Sequence, residues 1–372
     1  MIARTGSARS AAAPHRRREP AGTRKLSSGQ YTALVAGLIV ALLASTLLAI
    51  SLGTVDVPLD HSWRIVASHL APGRIEPIWS TTEETIVWTF RMPRAILAIL
   101  VGAGLALVGV VLQALVRNPL ADPYLLGISS GASFGAVAVL VLGSAAFGGL
   151  TLSAAAFAGA MLATGALYVL AQRYGHVSPL RLILAGVALD YLFRAAYSYI
   201  LQQATFGQAY ATVLFWLLGS LAAARWDLLT IPTVVLVTGM GFLLLQARPL
   251  NALLAGEETA VALGIHLGRL RTGLFVATAV LVGVMVAVSG AIAFVGLIVP
   301  HMCRMVVGAD HRRLLLVSAL GGATFLQLAD LASRLVDKPR EQPLSIVTAA
   351  VGVPFFLWLL RRESRSNRLS VA

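Results

Sequence analysis

"FRMPRAILAILVGAGLALVGVVLQALVRNPLADPYLLGISSGAS", residues 90–133, is the stretch on which the fold turns. Between Arg94 and Arg117 it holds no charged side chain. A helical bilayer crossing takes about 20 apolar residues, so this interval can span. The arginines at its ends can extend their heads to lipid phosphates.

The rest of the chain has the same character. Its 372 residues are 58% hydrophobic and 12% charged, and its mean hydropathy is +0.81. Soluble domains carry roughly 25% charged residues. The composition therefore predicts an all-α polytopic membrane protein. A single cysteine, Cys303, excludes an internal disulfide and a multi-cysteine metal site.

Charge-free intervals predict about ten transmembrane helices, near 31–52, 95–115, 123–143, 150–171, 180–201, 228–247, 272–289, 292–308, 314–333 and 343–360. An even number puts both termini on one side. Segments on that side then hold twenty basic and six acidic residues, and the other face eight and nine. The positive-inside rule makes the richer side cytoplasmic.

The net charge of +13 thus reads as membrane anchoring and not as nucleic-acid binding. Arg4, Arg9, Arg16, Arg17, Arg18, Arg24 and Lys25 precede the first span, with only Glu19 against them. The run Tyr31–Gly53 is too long for a signal-peptide core and no A-x-A-like site closes it, so it reads as an uncleaved span. Residues 1–29, rich in Arg, Ser, Ala and Gly, read as a disordered cytoplasmic tail. Residues 30–362 form the transmembrane domain and 363–372 a second tail.

Within the first tail, "LSSGQ" (26–30) differs by one residue from the LSGGQ box of ATP-binding-cassette ATPases. Such an ATPase also needs G-x-x-x-x-G-K-[ST] to cradle phosphate. The only lysines, Lys25 and Lys338, stand in no such loop, so the match is accidental.

Intervals 123–172 and 272–303 hold recurrent Gly, Ser and Pro, as in "SGAIAFVGLIVPH". Close helix packing explains such residues. A broken helix does too, where protein satisfies its backbone. The segment "ARPLNALLAGEETAVALGIHLGRLR", 247–271, is the longest internal cytoplasmic segment. In it Pro249 and Asn251 suggest a stop and a cap, Glu257 and Glu258 the first turn of a short helix, and Gly264 its end. Such a helix is a docking element.

Asp190 and Arg194 are the only charged residues deep in a span. Four apart, they share a helix face, and a charge at that depth is a functional candidate. Tyr191, Tyr197, Tyr199, Gln202, Gln203 and Gln208 add polar and aromatic character. Two readings stand: a self-satisfied buried pair, or a path lining that meets an anionic cargo.

The ordered motifs R-M-P-R, "QALVRNPLADPYLLGISSGA", "LNALLAGEETAVALGI", "SGAIAFVGLIVPHMCRMVVGADHRR" and "PLSIVTAAVGVPFFLWLLRR" resemble the FecCD family. Its members are permease subunits of binding-protein-dependent ABC importers for ferric siderophores, haem and cobalamin. The resemblance covers about residues 30–362. It implies the type II ABC importer permease fold and a homodimer around a central path, with two cytosolic ATPases below and a soluble binding protein above. It implies a non-catalytic subunit that binds no cofactor, with ATP and Mg held by the partner ATPase, in a bacterial inner membrane.

It also implies site roles. Segment 250–268 resembles the coupling helices that dock in the ATPase, with Leu250 at its start, Gly256 and Gly264 at the turns, and Glu257, Ala260 and Leu263 facing the partner. Arg91, Arg94 and Arg334 match the positions that pair with the binding protein, and Asp190 and Arg194 fall on a path-lining span. Where the family reads E-L-P-[VI]-G, this chain has "EQPLS", 341–345, with Gln342 and Ser345 as departures. The Pro-His step at His301 belongs to the family pattern, so His301 reads as structural and not, with Met302 and Cys303, as a haem ligand. The intramembrane arginine favours an iron chelate, haem or siderophore, over cobalamin. An ion-coupled secondary transporter, the other class, commonly uses unpaired intramembrane acids. No H-E-x-x-H motif points to an enzyme.

Overall fold

Helix α1 (Ser28–Ser51) begins inside the false ATPase motif. Ser27 accepts the Gln30 amide and Gln30 accepts the Ser27 amide, at 3.2 and 3.0 Å. This reciprocal capping box satisfies two amide donors at the helix end, so Ser27–Gln30 belong to the first span and not to a disordered tail. The computed structural model describes residues 26–118, 121–173, 176–177, 179–204 and 208–371. The basic tail up to Lys25 lies outside them.

After α1 come α2 (Leu59–Leu70), α3 (Thr81–Glu84), a π-helical stretch (Thr85–Arg91) and α4 (Met92–Val116), the last three continuous. Next are α5 (Ile128–Leu142), α6 (Leu152–Ala171), a small antiparallel ladder of β1 (Gln172–Arg173) and β2 (His176–Val177), α7 (Pro179–Leu201) and α8 (Gln208–Leu217). The chain ends with α9 (Thr230–Leu245), α10 (Ala247–Leu254), α11 (Glu257–Ala262), α12 (Leu267–Ser289), α13 (Val295–Val307), α14 (His311–Leu335) and α15 (Leu344–Val371). Each of the ten expected spans falls on one helix. Among the described residues, six helices are long and apolar enough to cross a membrane and three more are apolar but shorter. The protein is a multi-pass membrane protein.

Three features depart from expectation. Helix α8, of ten residues, lies in an interval expected to hold no span. Residues 363–371, expected as a tail, continue α15. The ladder β1–β2 adds a short strand pair to an otherwise helical chain.

Helix α4 is the centre, buried along nearly its whole length from Ala95 to Leu115. It packs against α12, α13 and α14. The approach is closest where Gly109 meets the Gly296 backbone and Gly102 meets that of Gly322; a Cβ at either site would clash with a carbonyl. Small residues let apolar helices come this near.

The interval 272–303 does hold a break. Helix α12 ends at Ser289, and Gly290 to Phe294 are irregular, with φ of 67° at Gly290 and 70° at Phe294. Two groups of this backbone are satisfied by Ser345, in the first turn of α15, and the flanking segments bond one another. The Ser220 amide donates to the Ser289 carbonyl, and the Leu344 and Ser345 amides donate to Gly219 and Leu218. The Ser345 hydroxyl donates to the Ala291 carbonyl and accepts the Ala293 amide. Buried amides need such partners.

Side-chain contacts define two faces. Arg313, at the start of α14, holds the Leu26 carbonyl at the start of α1. At the other end, Arg334 of α14 holds Ala49 and Leu52 at the end of α1. We call these the amino-terminal face and the opposite face.

Candidate functional site

Three stations carry the candidate residues. On the opposite face, Arg91, Arg94 and Arg334 are not bare. Arg91 donates to the carbonyls of Ile50 and Ser51, at 2.9 and 2.7 Å, and to that of Val55. Those of Ile50 and Ser51 are end carbonyls of α1, which lack partners within the helix. Arg94 forks between Asp330 and Glu341, each at 2.9 Å. Arg334 pairs with Asp330 at 3.2 Å. Arg91 and Arg334 are 7% and 5% exposed. Together the three arginines clamp α1, α4, α14 and the segment leading into α15. The acceptors of Arg91 and Arg94 lie tens to hundreds of residues away in sequence, which is why the local motif could not show them.

The same face bears a loop, 52–58, in which the Gly53 amide and Lys338 beside Asp56 hold its carboxyl below the usual range. Lys338 lies 3.4 Å from that carboxylate.

In α7, Arg194 and Asp190 pair at 2.7 Å, as their spacing implied. The Arg194 side chain is 53% exposed and Asp190 20%. Tyr191, Leu192 and Tyr199 are exposed on the same helix. The pair is thus on the outside of the single chain, where a lipid, a second chain or a translocation path can meet it, and not inside the helix packing.

On the amino-terminal face, 247–264 forms two short helices instead of one. Pro249 sits in the first turn of α10 and stops nothing. Asn251 caps another helix: its side-chain oxygen accepts the His311 amide at 2.9 Å, and its amide donates to Asp310 at 2.9 Å. Gly256, with φ of 120°, separates α10 from α11, and Gly264, with φ of 79°, follows α11. Both conformations favour glycine. Glu257 and Glu258 occupy the first turn of α11 as expected.

The outward face of this segment differs from expectation. Ala260, expected to face the partner, and Leu250, at the start of the segment, are fully buried in their own chain. Glu257 is held by Arg117 and Arg271, at 3.1 and 2.8 Å. Leu263 is 67% exposed, and Leu254 and Val261 are exposed beside it. A burial pattern with a partner could not be read from sequence because one face of a six-residue helix shows too little periodicity.

Around the Pro-His step, Met302 is exposed, Cys303 is buried, and the His301 ring meets Phe355 edge-on at 6.2 Å. The three do not converge on one point. Among the described residues no group of three or more His, Cys, Asp or Glu is placed to hold a metal.

Helices at each of the ten expected positions, a break between α12 and α13 and the paired short helices α10 and α11 make up the arrangement of a polytopic membrane protein. The FecCD transport family model matches residues 41–362. The chain is 41% identical to the cobalamin import system permease protein BtuC of Halobacterium salinarum, covering 88% of this chain and 89% of that one. It is 40% identical to the hemin transport system permease protein HmuU of Yersinia pestis, covering 78% and 89%. A solved inward-facing metal-chelate type ABC transporter superposes with a TM-score of 0.77 at 32% identity, covering 89% of this chain and all of that one. The chain belongs to the FecCD transport family. It is an ABC importer permease.

Proposed function

We propose that this chain is the non-catalytic transmembrane subunit of an ATP-driven importer, carrying an iron chelate, a ferric siderophore or haem, from a soluble binding protein into the cytoplasm. Two copies enclose the path, and two cytosolic ATPases, which hold ATP and Mg, dock below. The amino-terminal face is cytoplasmic in a bacterial inner membrane, with both termini there.

The observation that carries this reading is the α10–α11 segment. Leu254, Val261 and Leu263 are exposed apolar residues in a segment between spans, and apolar side chains grouped at such a surface mark a protein contact. Closure of the ATPases on their nucleotide displaces this segment and switches the accessible side. Above, the binding protein docks on the rim built by Arg91, Arg94 and Arg334. Since those arginines are engaged internally, they fix the shape of the rim, and exposed rim charges such as Arg225 steer the encounter.

Within the path, Arg194 meets the anionic groups of the cargo while Asp190 limits its cost at depth. Cobalamin is the alternative cargo, supported by the BtuC relative. Asp190, already paired, does not suit an ion-coupled carrier. The experiment is uptake into proteoliposomes carrying the reconstituted importer, offered haemin, ferric siderophores and cobalamin in parallel. Preference for cobalamin contradicts the chelate reading. Arg194→Gln is expected to lower chelate uptake with assembly and ATP hydrolysis intact; equal loss of assembly points to a structural pair.

A further inference from the structure

Glu257 stands at the first residue of α11, and one of its carboxylate oxygens accepts both Arg271, in the first turns of α12, and Arg117, which ends α4. Arg117 takes a left-handed conformation, φ 53°, as it turns the chain out of α4. We propose that this three-residue node is the strut through which movement of the α10–α11 segment reaches α4 and α12. The proposal rests on the ABC importer reading.

Several observations favour a strut over a stability contact or a docking contact. Arg117 and Glu257 are about half exposed, at 44% and 42%, and exposed pairs contribute little to stability. The node therefore adds little to the fold. Its three members nevertheless come from three separate elements, and two of these, α4 and α12, pack on each other in the core. The Arg271 side chain is only 13% exposed, and its Nε is buried without a partner. Arg271 thus cannot swing out to follow a new partner, and its distance to Glu257 is kept. Helix α11 itself is only six residues long. Its backbone links to α12 through a glycine, Gly264, and three further residues, so the peptide chain alone makes a loose connection. A charged bridge across that bend stiffens it. On this view the exposed apolar residues bind the ATPase and Glu257 transmits what they receive.

The test uses the full complex with its ATPase, in a Cys303→Ala background with Val336→Cys spin-labelled on the opposite face. Val336 is 75% exposed and outside the node. In this background, trapping nucleotide is expected to shift the distance between labels on the two copies. With Glu257→Gln, the ATPase is expected to remain bound and the shift to be lost. The triple charge swap Glu257→Arg with Arg117→Glu and Arg271→Glu is expected to restore it. A wild-type shift in Glu257→Gln overturns the proposal, as does loss of the ATPase, which would make Glu257 a docking contact, or failure of the swap to restore movement. If the unsubstituted background shows no shift, the ATP-driven reading itself fails and the strut with it.

Discussion

The Ser345 hydroxyl, at the start of α15, donates to the Ala291 carbonyl at 2.8 Å and accepts the Ala293 amide at 3.3 Å. One side chain thus serves both sides of the break between α12 and α13. The family pattern has glycine at this position, so the chain closes its break with a bond that glycine could not make. Leaving a buried carbonyl and amide unpaired costs about 1–3 kcal/mol. Ser345→Ala is expected to lower stability by about that amount, read as a lower thermal midpoint in detergent; an unchanged midpoint would show that other groups satisfy the break.

The α4–α13 contact predicts a sharp contrast between glycines. Gly109→Ala drives a methyl into the Gly296 backbone and forces the central helices apart, so folded protein is expected to be lost. Gly165→Ala, in α6, meets nothing within 4 Å. Relief of glycine's entropy there stabilises by roughly 0.5–1 kcal/mol. Size-exclusion profiles of the two variants distinguish them.

Arg94→Ala leaves Glu341 without its cation and Asp330, whose side chain is 2% exposed, with Arg334 alone. Removing one member of a buried pair costs about 3–5 kcal/mol. Arg94→Lys is expected to rescue only part, because one ammonium cannot fork between Asp330 and Glu341. The double variant Arg94→Ala, Asp330→Ala is expected to be no more stable than Arg94→Ala alone, because it leaves the buried Arg334 without its carboxylate. Thermal unfolding of the three variants checks the order.

Asp122, in the loop between α4 and α5, is raised by burial from 3.8 to about 6, with the Tyr124 amide opposing. The folded state then holds the proton more tightly than the unfolded state. Its contribution is complete below about pH 4 and lost as pH rises through about 6. The difference corresponds to roughly 3 kcal/mol. Asp122→Asn keeps an acceptor for Tyr124 without the charge. It is expected to stabilise the protein at about pH 7.5 and to show no gain near pH 4. Unfolding midpoints across this range provide the measurement.

Sequence and structure agree where the information is local. Uncharged intervals bracketed by arginines, such as Arg94 to Arg117, located the ten helices, and four-residue spacing located the Asp190–Arg194 pair. The Ser27–Gln30 capping box was equally local, yet its position against a basic tail led to the tail reading. Distant partners were not legible. Asn251 resembles a cap for its own helix and caps α14, because Asp310 and His311 are brought beneath it only by folding. Arg91 resembles a surface charge because nothing near it in sequence announces the α1 carbonyls it binds. Helix α8 went unseen because its ten residues are too few for a span.

The central claim is that this permease moves cargo at the expense of ATP hydrolysed by a separate subunit. Uptake into proteoliposomes holding the complete importer, with ATP inside and ion gradients collapsed by ionophores, tests it most directly. The account predicts uptake that persists without gradients and stops when the ATPase is replaced by a hydrolysis-deficient form. Uptake driven by an ion gradient by the permease alone, indifferent to ATP, would contradict it.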